Sequence, residues 1–111
     1  MKLYHCLPFD YYTEQVRNGV FSTYFSGIFL ADTDKGAIRG CQRKYEGFAL
    51  MTVLCFDVDE GEIELWNNTL TDETYGDNFY FWKVKEVPSD RFEVVATFPL
   101  LMDDIKKYKT A

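Results

Sequence analysis

The sequence is poor in the residues that build most metal and redox sites. Its three cysteines, Cys6, Cys41 and Cys55, stand far apart and form no Cys-x-x-Cys pair. That spacing supports neither a zinc site nor a redox pair, so we expect reduced core thiols and no metal. The single histidine, His5, belongs to no Ser–His–Asp, metal-ligand or phosphate-loop motif. Enzyme classes that depend on those motifs therefore find no support.

Long apolar runs are also missing. No stretch approaches the roughly 20 apolar residues that a membrane-spanning helix needs. The first residues lack the apolar segment of a signal peptide. We therefore expect a cytoplasmic protein, acting in its own cell or in a host cell, with no membrane partner. A chain of 111 residues without repeats or linkers predicts one domain over residues 1–111.

Positive charge is absent from the middle of the chain. The net charge is −6, and no lysine or arginine lies between Lys44 and Lys83. One interpretation is a solvated acidic face that keeps the protein soluble. The other is a patch that binds a basic protein surface. Direct binding of nucleic acid is disfavoured, because phosphate contacts need lysine and arginine. The candidate partner-binding carboxylates are Asp57, Asp59, Glu60, Glu62 and Glu64.

The stretch from Gly27 to Cys41 predicts a buried strand that runs directly into a helix. Ile28–Ala31 is the strand, and Asp32 or Thr33 can cap the helix with a side-chain oxygen. Two glycines inside the helix each cost about 1 kcal/mol relative to alanine, which suggests close approach of another backbone. The apolar residues of the helix share one stripe, formed by Ala37, Ile38, Cys41 and Tyr45.

The remaining patterns complete an α+β arrangement with a largely antiparallel sheet. They predict a first strand over Lys2–Cys6, then a helix from about Tyr11 to Asn18 that Asp10 caps. Residues 48–56 are almost continuously apolar, as in a strand buried on both faces. Alternating residues around a turn at 87–90 predict a hairpin over about 78–98. Residues 100–108 fit either a strand or a short helix.

Five short motifs, taken in order, resemble the ADP-ribosyltransferase fold, in particular its poly(ADP-ribose) polymerase-like branch. Each motif alone is weak, but their order and spacing extend the resemblance over about residues 3–98. The resemblance implies two split antiparallel β-sheets with two short helices. The motifs are His5-Cys6, a helix that ends at Gly19, Gly27–Asp32 followed by Cys41, the acidic-ended strand Thr52–Val58, and Asp77-Asn78-Phe79-Tyr80.

The resemblance also implies NAD as co-substrate, bound in a crevice between the sheets. His5 would hydrogen-bond the adenosine ribose. The backbone at Cys6, which replaces a glycine, would face the nicotinamide amide. Phe29, with Tyr24 or Tyr80, would line the pocket.

Other positions depart from the family pattern. The family's catalytic glutamate falls on Asn78, which is neutral; the neighbouring Asp77 is charged, but it points to the other face of a regular strand. Ala37 and Gly40 stand where a hydroxyl and a stacking tyrosine are expected.

Two functions follow from this pattern. The first is an enzyme that transfers ADP-ribose from NAD to a macromolecule and releases nicotinamide, with Asn78 or Asp77 at the catalytic position. The second is a non-catalytic acidic inhibitor on the same fold, a nucleic-acid mimic of the kind that phages make against host defences.

The same residues also have a purely structural interpretation. His5 can be an ordinary surface or core residue, and residues 79–82 can be core aromatics.

Overall fold

The computed structural model describes residues 1–23, 26–44, 50–68 and 78–99. The fold class is α+β, with mostly antiparallel sheets and two helices, as the sequence predicts. Within the described ranges, no helix has both the length and the apolar character needed to cross a bilayer. The elements are β1 (Lys2–Pro8), α1 (Phe9–Gln15), β2 (Val16–Arg17), β3 (Val20–Ser22), β4 (Ile28–Ala31), α2 (Asp34–Lys44), β5 (Leu50–Asp57), β6 (Ile63–Asn68), β7 (Asn78–Trp82), β8 (Glu86–Pro88) and β9 (Phe92–Pro99).

Six strands form the main sheet in the order β6-β7-β4-β1-β5-β9, and every neighbouring pair is antiparallel. Strand β5 is buried along its interior, as its apolar run predicts. Strands β1 and β4 are barely joined, because Tyr4 and Ala31 are their only paired residues in the described ladder. The sheet therefore opens between β1 and β4 beyond that pair, and this opening positions the site described below.

Two apolar clusters cover the two faces of the main sheet. Helix α2 packs on one face, where Ala37, Ile38 and Cys41 bury against β1, β4 and β5. Thr33 caps the helix, because its Oγ1 accepts a hydrogen bond from the Gly36 N–H at 3.0 Å, as predicted. The opposite face carries the larger cluster, which includes Phe21, Phe56 and Trp82. Of the predicted stripe, Tyr45 lies outside the described residues.

The region after the first strand differs from the prediction. Strand β1 continues to Pro8, and α1 is a seven-residue helix that starts at Phe9 without a side-chain cap. Asp10 therefore lies in the first turn rather than at the cap. Residues 16–22 form a hairpin instead of the end of a helix, and β8 extends it to a three-stranded sheet. Asn18 and Gly19 both have positive φ, 54° and 75°, as a tight two-residue turn requires.

The predicted hairpin over 78–98 is also wrong. Strand β7 pairs with β4 and β6, whereas β9 pairs with β5 at the opposite edge of the sheet. Residues 83–91 connect the two and contribute β8 to the small sheet. Alternation indicated strands at the right places, but it does not select their partners. The alternatives for 100–108 concern residues outside those described.

Candidate functional site

A cavity of about 400 Å³ occupies the opening between β1 and β4. Ligand pockets in proteins generally span about 300–1,000 Å³, so this volume suits a small ligand or one part of a larger one. Its walls are mostly apolar, with a few polar groups from β1, the end of α1 and Thr23. The lining residues are Tyr4, His5, Cys6, Leu7, Gln15, Thr23, Gly27, Ile28, Phe29, Ala31, Ala37, Gly40, Cys41, Trp66 and Phe79.

His5 bridges the two strands where their ladder ends. Its Nδ1 lies 2.9 Å from the carbonyl oxygen of Phe29. A carbonyl oxygen only accepts hydrogen bonds, so Nδ1 carries the proton and donates. The imidazole also meets the rings of Phe21 and Phe56 edge-on, at centroid distances of 6.1 and 6.5 Å. These contacts fix the ring orientation at the cavity wall.

Helix α2 closes one side of the cavity with small residues. Ala37 and Gly40 both line it, together with Cys41. A Cβ added at Gly40 would meet only the ring of Phe79, at an ordinary contact distance of 3.8 Å. The expected backbone approach at Gly40 is therefore wrong, because the glycine faces open cavity. Across the opening, Cys6 has no positive φ, since Asn18 is the one non-glycine residue with positive φ in the described ranges. The cysteine at this position therefore imposes no backbone strain of the kind that a positive φ would cause.

Two exposed aromatic residues, Phe29 and Trp66, line the cavity, and Phe81 packs beside Phe29. The Phe29 ring lies 5.1 Å from the Trp66 ring and 5.0 Å from the Phe81 ring, centroid to centroid. Phe29 is 47% exposed and Trp66 is 60% exposed. These are large apolar groups held in solvent, which makes them candidates for ligand or partner contact.

Gly27 holds the strand that carries Phe29 against β7. A Cβ at Gly27 would collide with the carbonyl oxygen of Trp82 and with the ring of Phe81, which lies within 2.7 Å of its position. Glycine is therefore required by close backbone packing at this corner of the cavity.

Two other predicted site residues do not line the cavity. Asn78 begins β7, and its carbonyl oxygen accepts a hydrogen bond from the Asp32 N–H at 3.0 Å. Tyr80 packs against the cluster that contains Trp82. Residues alternate along a strand, so the side chains of Asn78 and Tyr80 leave β7 on the face opposite Phe79, which does line the cavity. Tyr24 and Asp77 lie outside the described residues.

Tyr4 lines the cavity, and its hydroxyl is hydrogen-bonded to the Cys55 side chain of β5. Burial is the main cause that raises the pKa of Tyr4, and the neighbouring Cys55 thiol, its cross-strand partner, adds to the shift. Burial likewise raises the pKa of the Cys55 thiol, although Lys2 opposes that change. Both groups therefore stay protonated at neutral pH, and neither brings charge close to the cavity.

The five carboxylates of the predicted acidic patch differ in their contacts. Glu62 pairs with Arg91 through two nitrogen–oxygen contacts of 2.6 and 3.3 Å. These bonds are the main cause that lowers the pKa of Glu62 to about 2. Asp57 lies 4.0 Å from the terminal amine. Asp59 accepts the Glu62 N–H within a capping box. Glu60 and Glu64 remain exposed, with no ion pair in the described part of the chain.

The described lining of the cavity suits an uncharged ligand group better than a phosphate. Among the described residues, no lysine, arginine, aspartate or glutamate lines it. A pyrophosphate would find no cation there, whereas a planar, amide-bearing ring suits walls of aromatic, small and uncharged polar residues. Across the described residues, no group of three or more histidine, cysteine or acidic side chains could hold a metal ion.

Sequence reasoning missed several cavity residues, notably Gln15, Thr23 and Trp66. Gln15 was placed inside a longer helix, whereas α1 ends there and turns it toward the cavity. Trp66 lies within β6, at an irregularity in the pairing with β7. Leu65 pairs with Tyr80 and Asn67 pairs with Phe79, so Trp66 has no partner on β7, and the sequence pattern does not indicate this.

Comparison with known proteins identifies no relative. No family model, no curated protein and no solved structure matches this chain. The function must therefore be argued from the residues and their geometry.

Proposed function

We propose that this chain is an atypical ADP-ribosyltransferase-like domain that binds NAD by its nicotinamide end in the cavity between β1 and β4. The supporting observation is that residues separated by more than thirty positions line one cavity. The sequence resemblance relates all of them to NAD: His5 to the adenosine ribose, and Cys6, Phe29, Ala37 and Gly40 to the nicotinamide.

The open edge of β1 is suited to an amide ligand. Beyond Tyr4, β1 has no paired residue on β4 in the described ladder. The backbone at Cys6 can therefore offer a donor and an acceptor to a carboxamide, the pair of groups that nicotinamide presents. Phe29 supplies a ring at the mouth, and the small residues Ala37 and Gly40 leave room for a planar group.

The described site lacks the carboxylate that transfer of an ADP-ribosyl group would need. NAD, when bound, would supply an ADP-ribosyl group as nicotinamide leaves, and that step needs negative charge near the developing cationic ribose. Asn78 is neutral, and among the described residues no carboxylate lines the cavity. We therefore propose a binding domain that turns NAD over slowly or not at all, with the pyrophosphate lying outside the described cavity.

Calorimetric titration with NAD and with nicotinamide tests this proposal. The wild type should give saturable heat with both ligands. Gly40→Leu should abolish binding, because its side chain enters the cavity, while helix α2 tolerates leucine well. The matched control is Gly61→Leu, at a position with no atom within 4 Å of an added Cβ, and it should bind as the wild type does. Absence of heat at millimolar NAD, or unchanged binding by Gly40→Leu, would refute the proposal.

A non-catalytic acidic inhibitor of a basic protein surface is the second candidate. It is favoured by the exposure of Glu60 and Glu64 within a segment that lacks lysine and arginine. Because Glu62 is paired with Arg91, its negative charge is less available to a basic partner than the charges of Glu60 and Glu64. This candidate predicts a complex with a basic protein and no heat with NAD, so the same titration separates the two functions.

A further inference from the structure

Three neighbouring strands place one carboxylate and two aromatic rings in a line. Glu64 of β6 is opposite Phe81 of β7, and Phe81 is opposite Phe29 of β4. Directly opposed residues of antiparallel strands share a face, with Cβ atoms about 4.5–5.5 Å apart. Trp66 packs edge-on against Phe29 on that same face. We call these four residues the Glu64 row.

Three of the four residues of the Glu64 row are exposed, and its carboxylate is the one charged group in the row. Phe29 and Trp66 are 47% and 60% exposed, and Glu64 is exposed as well. In the part of the chain that the structure describes, Glu64 forms no ion pair. The surrounding sequence supplies no lysine or arginine between Lys44 and Lys83. A cationic ligand group would therefore meet no competing ion pair at Glu64 within the described part of the chain.

We propose that the Glu64 row binds an exposed arginine side chain of a partner protein. A guanidinium is planar, so it can stack on an aromatic face while its N–H groups reach the carboxylate at the end of the row. A lysine ammonium is more strongly hydrated and gains less from flat rings. Methylated ammonium groups prefer an enclosing aromatic cage, whereas this row lies along the open face of a sheet.

Chemical-shift titration of the Trp66 indole N–H tests the proposal. The probe is arginine blocked at both ends, compared with lysine blocked in the same way. Trp82, which is 1% exposed, gives an internal reference signal. Arginine should shift the Trp66 signal saturably, with a dissociation constant in the millimolar range, and lysine should bind more weakly. The Trp82 signal should stay fixed.

Conservative variants locate the binding. Glu64→Gln keeps the shape of the side chain and should weaken arginine binding by about threefold or more. The Trp66 and Trp82 indole signals of the variant also show directly whether it is folded. Glu60→Gln, another exposed carboxylate of the same acidic segment, should leave arginine binding unchanged. Equal binding of arginine and lysine, or an undiminished response in Glu64→Gln, would overturn the proposal.

This inference does not depend on NAD binding. 1-Methylnicotinamide, which is methylated on the pyridine nitrogen and is therefore an aromatic cation, serves as a further probe of the same signal. If it shifts Trp66 saturably while blocked arginine does not, the row belongs to the cavity ligand and the arginine proposal fails. If arginine binds while NAD gives no heat, the arginine proposal stands and the proposed function fails.

Discussion

The imidazole of His5 donates a hydrogen bond from Nδ1 to the carbonyl oxygen of Phe29, across 2.9 Å, at the point where β1 and β4 separate. A side chain thus replaces the backbone ladder that ends at Tyr4 and Ala31. This bond holds the opening at a fixed width while leaving space beside it. The cavity therefore lies where β1 and β4 are connected by the His5 side chain instead of by backbone pairing.

His5→Ala should destabilise the fold by about 1–2 kcal/mol, because it removes that hydrogen bond and the edge-on contacts with Phe21 and Phe56. His5→Asn retains a donor near the Nδ1 position and should recover part of the loss. Urea unfolding measures both values. An asparagine variant as unstable as the alanine variant would show that the bond to Phe29 contributes nothing.

Gly27→Ala should be severely destabilising, by about 3 kcal/mol, because the new Cβ meets backbone and a packed ring that cannot both move aside. Gly61→Ala introduces the same methyl group into open space and is the matched control. Thermal unfolding of the two variants should separate them clearly. Equal melting temperatures would contradict the packing at the corner formed by β4 and β7.

Gly40→Ala should stabilise the protein by about 1 kcal/mol, because alanine is the better helix former and its methyl group makes an ordinary contact with Phe79. The substitution is expected to raise the melting temperature while only slightly reducing the cavity. A decrease in stability would mean that α2 lies closer to β7 than the structure indicates.

The Glu62–Arg91 pair should make stability depend on acid. The folded-state pKa of Glu62 is lowered to about 2 from an ordinary value of 4.5, so the unfolded chain takes up a proton at higher pH than the folded chain. The contribution is complete above 4.5 and is lost as the pH falls toward about 2. Wild type should therefore exceed Glu62→Gln in urea resistance at neutral pH, and the difference should shrink over that window. A constant difference would exclude the pair as its source.

Local patterns predicted the elements around the site well. The apolar run Ile28–Ala31 followed by a capping side chain predicted both β4 and α2, because the strand, the cap and the stripe are all encoded within a few residues. Arg39 lies outside the apolar stripe of α2, yet it is only 8% exposed. Burial of a charged side chain depends on tertiary neighbours that helical periodicity does not contain.

Pairing between distant strands could not be predicted in the same way. Asn18-Gly19 is a typical hairpin turn pair, but Tyr12, Val16 and Val20 also recur at the four-residue spacing of a helix, and the structure forms the hairpin. The partners of β7 and β9 depend on which edges are free once β1, β4 and β5 have assembled, and no local pattern carries that information. The cavity itself results from pairing that stops at Tyr4.

Intermolecular nuclear Overhauser effects between nicotinamide ring protons and labelled alanine methyl groups test the central claim most directly. The methyl groups of Ala31 and Ala37 line the cavity, whereas Ala96 lies on β9 outside the lining and serves as the internal control. The proposed function predicts contacts from the nicotinamide ring of bound NAD to Ala31 and Ala37 and none to Ala96. Saturable NAD binding without contacts to Ala31 or Ala37 would contradict it.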